Sequence, residues 1–151
     1  MSTLLALCVS GVMLHEGYSR NMYKDRNGWS IGNGYSLTQN PLHLDKATLS
    51  NFKRNGISKL RSRQLVSQLC TQTKNVLEAK YEWFNEMDSQ RQYVVLNMAY
   101  NLGVGGLEDF NKTLYHIKHR QYTLASNEML RSKWARQVKG RAIELSNIVR
   151  G

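Results

Sequence analysis

Strand signal in this chain is confined to one stretch, and that confinement decides the fold class. From Ser19 to about Leu37, aromatics, glycines and polar–apolar alternation give two or three short strands, with turns at Asn27-Gly28 and Asn33-Gly34. The rest of the chain has helical period. Ser2-Thr3 caps a helix whose Leu4, Leu5, Cys8, Val9 and Val12 share a face and which closes near His15, leaving Glu16 at its end. Beyond the break at Gln39-Asn40-Pro41, Asp45 to Arg54 reads as a short helix stopped by Asn55-Gly56. Leu60 to Ala79 reads as a longer one, with Leu65, Leu69, Thr73, Val76 and Leu77 on one side. Asp88-Ser89 then caps a segment whose Val94, Val95, Met98, Ala99 and Leu102 face inward and which Gly103 ends. Short helices follow at Leu107 to Phe110, Lys112 to Arg120, Tyr122 to Arg131 and Val138 to Val149. One small sheet among helices is an α+β arrangement, with Leu60 to Ala79 joining a sheet-bearing N-terminal lobe to a helical C-terminal lobe.

With 151 residues, 41% of them hydrophobic and a single proline, the chain is folded throughout, as one compact unit or as two small lobes sharing a central helix. Its formal charge of +10 favours polyanionic partners, whether nucleic acid, anionic membrane or a phosphate-bearing cell envelope. Lys46 to Lys74 carries seven basic residues and no acidic one, which gives a positively charged flank. Cys8 and Cys70 lack metal-ligand spacing and occupy positions that read as small buried apolar side chains, so free thiols in a reducing cytoplasm are expected. Leu4 to Leu14 is apolar. It has no basic leader or small-residue cleavage site and is too short to span a bilayer, so it is not read as an export signal.

The chemistry-bearing stretch is His15 to Tyr35, H-E-G-Y-S-R-N-M-Y-K-D-R-N-G-W-S-I-G-N-G-Y. Two carboxylates bracket a hairpin there. Acid/base hydrolysis of a glycosidic bond needs such a pair, one carboxyl to protonate the leaving oxygen and another to activate water or steady the developing cation. His116 and His119 are spaced i,i+3 on a helix but lack a third ligand, and His15-Glu16 lacks the second histidine of H-E-x-x-H, so no metal site is expected. Neither a phosphate-cradling glycine loop nor a nucleophile elbow occurs, and no cofactor is expected.

E-G-x5-Y-x-D followed by G-W-S-I-G-N-G resembles the active-site signature of the bacteriophage T4-type lysozymes. L-N-M-A-Y-N-L-G (Leu96 to Gly103) is similar to that family's cleft helix, and S-K-W-A-R-Q-V-K-G-R-A (Ser132 to Ala142) to its tryptophan–arginine segment. The three motifs occur in family order and the similarity runs from about residue 3 to residue 148. The resemblance implies a phage-lysozyme-like fold: a small N-terminal lobe at about 14–59, a connecting helix at about 60–79, and a larger C-terminal lobe at about 80–151 packed with helix 3–14. It also implies a monomeric, metal-independent muramidase cutting the β-1,4 bond between N-acetylmuramic acid and N-acetylglucosamine of peptidoglycan. Such an endolysin would wait in the host cytoplasm until released to the wall.

Carried over position by position, Glu16 is the general acid, Asp25 the second carboxylate, Ser30 a hydroxyl helping to place water, and Arg141 the partner of Glu16. Tyr35, Ser36, Tyr100, Asn101, Thr113 and Glu128 fall at saccharide-facing positions. Two departures stand out. The Asp25–Ser30 spacing is one residue short, which can shift strand register, and Tyr35 replaces the histidine that closes T-I-G-x-G-H. The family's inverting chemistry implies a water beside Asp25 and a carboxyl separation of roughly 6.5 to 9.5 Å. Two rival readings remain open. A lytic transglycosylase would need no second carboxylate, and a non-catalytic basic module would bind wall or nucleic acid, although no nucleic-acid signature accompanies the charge.

Overall fold

The structure, a computed structural model, describes residues 2–26 and 28–151. Its order is α1 (Thr3–Glu16), β1 (Ser19–Asp25), β2 (Gly28–Gly32), β3 (Tyr35–Ser36), α2 (Lys46–Asn55), α3 (Lys59–Lys80), α4 (Glu82–Asn85), α5 (Ser89–Glu108), α6 (Asn111–Lys118), α7 (Tyr122–Arg131), α8 (Lys133–Val138) and α9 (Gly140–Arg150). One antiparallel sheet in the order β1-β2-β3 among helices makes the fold α+β, as the confined strand signal requires.

The chain divides into two compact units, Leu5–Gln72 and Thr73–Gly151, the latter with Ser2–Leu4. From Leu5 onward α1 falls within the N-terminal unit. The free-thiol expectation for the two cysteines is corrected. Cys8 of α1 and Cys70 of α3 are joined as a disulfide with their Cα atoms 6.2 Å apart. Both positions are fully buried, as their apolar surroundings suggest. Helix packing sets them face to face, which a separation of 62 residues does not reveal.

In the N-terminal unit, Val9, Val12, Ile31, Leu37, Phe52, Ile57, Leu65 and Val66 are buried. Asp45 caps α2 by accepting from Thr48 N, and Gly56 at φ 79° ends it, its N–H bonded to Phe52 O. Hairpin β1–β2 pairs Asp25 with Gly28, Lys24 with Trp29 and Tyr23 with Ser30, then shifts register before Ser19 meets Gly32. The expected turn at Asn27-Gly28 falls partly on Asn27, outside the described residues. Gly28, at φ 120°, is obligatory beside it, because a Cβ there would collide with the Thr38 side chain.

In the C-terminal unit, residues Tyr93 to Ala99 of α5 are buried without a break, which makes α5 the axis of that core. Helix α9 packs on α5 and α7, and α6 on α7. Asp88 caps α5 by accepting from Arg91 N. Gly103 leaves helical geometry at φ 76°, ψ 157°, yet a further helical turn to Glu108 follows directly, so the expected stop is a kink.

Candidate active site

Glu16 is the last residue of α1, and its chain direction is reversed at once by Gly17, in the left-handed region at φ 68°, whose N–H bonds to Met13 O. This αL ending requires no Cβ at Gly17 and fixes the backbone that carries Glu16. The Glu16 carboxyl lies against the β2–β3 turn, where a Cβ on Gly34 would stand 3.0 Å from Glu16 Oε2. Any residue other than glycine at 34, φ 85°, would push the carboxyl away.

Asp25 ends β1. Side chains two apart on a strand share a face, and residues diagonal across an antiparallel pair are within reach of each other. Since Tyr23 pairs with Ser30, Tyr23, Asp25 and Ser30 lie on one face. The Ser30 hydroxyl, 2% exposed, donates to Asp25 Oδ2 at 2.5 Å. The short Asp25–Ser30 spacing therefore does not separate the two residues, because the hairpin places Ser30 diagonal to the carboxylate.

Tyr23 is the residue that reading the sequence for carboxylates overlooked, although Y-x-D placed it two positions before Asp25. Its hydroxyl is held above the ordinary tyrosine range, first by burial and then by the negative charge of Glu16 and of Asp25. One phenol thus senses both carboxylates, and their negative charge favours its neutral form.

The remaining candidates separate by environment. Tyr35 is 2% exposed, and its hydroxyl donates to Asn40 Oδ1 at 2.5 Å and accepts from Leu42 N at 3.1 Å. Through these bonds it ties the loop after β3 to the sheet. Burial raises its hydroxyl above the usual range. Ser36 pairs with Ser30 across β2–β3, and its hydroxyl accepts from Gln39 N at 3.0 Å.

In the C-terminal unit, Asn101 Oδ1 accepts from Trp134 Nε1 at 2.9 Å, and Trp134 stands edge-on to Phe110 with centroids 5.9 Å apart. Phe110, Thr113 and Glu128 line a cavity of about 340 Å³. Tyr100 is half-buried on α5. Arg141, 8% exposed, donates from Nε to Asn97 Oδ1 at 2.9 Å, and Asn97 in turn donates to the Tyr93 hydroxyl at 3.3 Å. Among the described residues no group of three or more histidine, cysteine, aspartate or glutamate side chains could hold a metal ion.

The N-terminal unit thus carries a carboxylate at a helix end and a second on a hairpin, with a buried hydroxyl bonded to the second and a tyrosine raised by the charge of both. The phage lysozyme family profile matches residues 13–150. The chain belongs to that family, and its function is lysozyme-like. It is similar to probable T4-type lysozyme 2 of Dictyostelium discoideum, at 27% identity over 142 residues, 84% of each chain. It is also similar to probable T4-type lysozyme 1 of the same organism, at 25% identity over 152 residues, 89% of this chain and 88% of the relative.

Proposed function

We propose that the protein is a muramidase, hydrolysing the β-1,4 bond between N-acetylmuramic acid and N-acetylglucosamine in peptidoglycan. Glu16 donates its proton to the leaving glycosidic oxygen. Asp25, as the carboxylate, takes a proton from the attacking water. The observation that carries this reading is the Ser30–Asp25 hydrogen bond on the sheet face shared with Tyr23. With its proton committed to Asp25, Ser30 Oγ is left to accept, so hydroxyl and carboxylate together hold a water in one orientation. In the C-terminal unit Asn97 fixes the guanidinium plane of Arg141 by accepting from Nε. Tyr100, Asn101, Thr113 and Glu128 supply saccharide contacts in the C-terminal unit.

The basic flank serves encounter. Of the seven basic residues from Lys46 to Lys74, only Lys74 is held in an ion pair among the described residues, with Glu78. The other six are available to the anionic cell envelope. Host lysis, from a cytoplasmic store released to the wall, is the biological setting proposed.

Purified peptidoglycan separates the alternatives. Clearing of turbidity with new reducing ends supports hydrolysis, anhydro-sugar ends indicate a lytic transglycosylase, and a salt-sensitive DNA shift without clearing indicates a basic binding module.

A further inference from the structure

Asn33 sits at the tip of the β2–β3 turn, where an asparagine side chain ordinarily faces water, yet it is only 3% exposed. Polar atoms are buried at a cost unless each finds a partner, and those of Asn33 do. Its backbone N–H donates to Ser62 Oγ at 2.8 Å, and the same hydroxyl donates back to Asn33 Oδ1 at 2.7 Å. The amide Nδ2 donates to Gly17 O, the carbonyl next to Glu16 in the chain. Ser62, on the first turns of α3, is 2% exposed and acts as acceptor and donor at once. The flanking glycines fit this grip. A Cβ on Gly32 would collide with Ser62 Oγ, and one on Gly34 would press on the Glu16 carboxyl.

From this geometry we infer that Asn33 and Ser62 are positioning residues for the general acid. The inference rests on the assignment of Glu16 proposed above. Ser62 anchors the turn to α3, and Asn33 ties Gly17, and with it Glu16, to the turn that directly follows the strand carrying Ser30. The clamp therefore sets where the acid stands relative to the Asp25–Ser30 pair. A misplacement of about 1 Å costs on the order of a hundredfold in rate, although no group touching the substrate has changed.

The test uses Asn33→Asp and Ser62→Ala beside Glu16→Gln in the full chain, with kcat and KM on soluble glycan fragments and the Glu16 carboxyl followed by carbon-13 NMR. Asn33→Asp keeps the shape and the acceptor for Ser62 but puts a carboxylate against Gly17 O. Its kcat should fall about 10- to 100-fold with KM changed less than about twofold. Its activity relative to wild type should recover as pH falls, because the protonated acid again donates to that carbonyl. Ser62→Ala adds no charge and does not touch Glu16, so a shift of the Glu16 carboxyl signal in it, with lowered kcat, supports the clamp. An unmoved signal and wild-type kcat in a folded Ser62→Ala would overturn the clamp, as would a pH-independent activity ratio for Asn33→Asp. Turnover by Glu16→Gln would instead overturn the assignment of the acid, a failure that the NMR readout keeps separate.

Discussion

Ser30 and Asp25 meet diagonally across the first hairpin, hydroxyl to carboxylate at 2.5 Å, because the strand register sets Ser30 opposite Tyr23. Removing the hydroxyl leaves the carboxylate in place but loosens it. Ser30→Ala should lower kcat about tenfold and Asp25→Asn about a hundredfold or more, the range that positioned acid/base groups supply. Steady-state rates on one soluble fragment compare them directly. Equal losses would mean that the hydroxyl does more than hold Asp25 and water.

Much of this was readable from local pattern, and what was not depends on packing. Helix α2 begins and ends where Asp45 and Gly56 require, because caps are local chemistry. Motif spacing makes Glu16, Asp25 and Ser30 candidates, but the contact between Ser30 and Asp25 is a matter of strand pairing. Tyr35 stands in the motif where the family has histidine, and its burial, with bonds to Asn40 and Leu42 in the following loop, is set by tertiary contacts. The Cys8–Cys70 link and the Asn33–Ser62 bonds join positions 62 and 29 residues apart, and no short-range period encodes such pairs.

The disulfide closes a long loop of chain, which lowers the entropy of the unfolded state. The double variant Cys8→Ala, Cys70→Ala should lose about 2 to 5 kcal/mol, equivalent to a fall in melting temperature of roughly 5 to 15 °C. Calorimetry of oxidised wild type against the variant checks it, and activity at about 25 °C should change little, since Cys8 lies about two turns of α1 before Glu16.

Tyr23, Tyr35, Tyr81 and Tyr93 are all held above the ordinary tyrosine value of 10.0, burial being the first cause in each. Their folded-state values exceed the unfolded ones, so on raising pH the unfolded chain releases these protons first. Stability is therefore full below about pH 10 and falls as pH rises from there through the folded-state values. Denaturant midpoints between pH 9 and 11.5 should decline over that range, and tyrosinate absorbance should lag that of the unfolded chain.

Arg141 and Asn97 form a buried pair in the C-terminal unit. Asn97→Leu would leave the Nε donor of Arg141 without its acceptor, costing about 1 to 3 kcal/mol. Asn97→Asp would keep an acceptor there. A melting series should rank wild type and Asn97→Asp above Asn97→Leu.

In the proposed mechanism Glu16 is the acid that protonates the leaving glycosidic oxygen. Reducing ends released from purified peptidoglycan by Glu16→Gln, measured beside wild type at matched melting temperature, test it most directly. The amide keeps the shape and has no proton to give, so activity should fall about a thousandfold while the fold is unchanged. A correctly folded Glu16→Gln that releases reducing ends at anything near the wild-type rate would contradict the account.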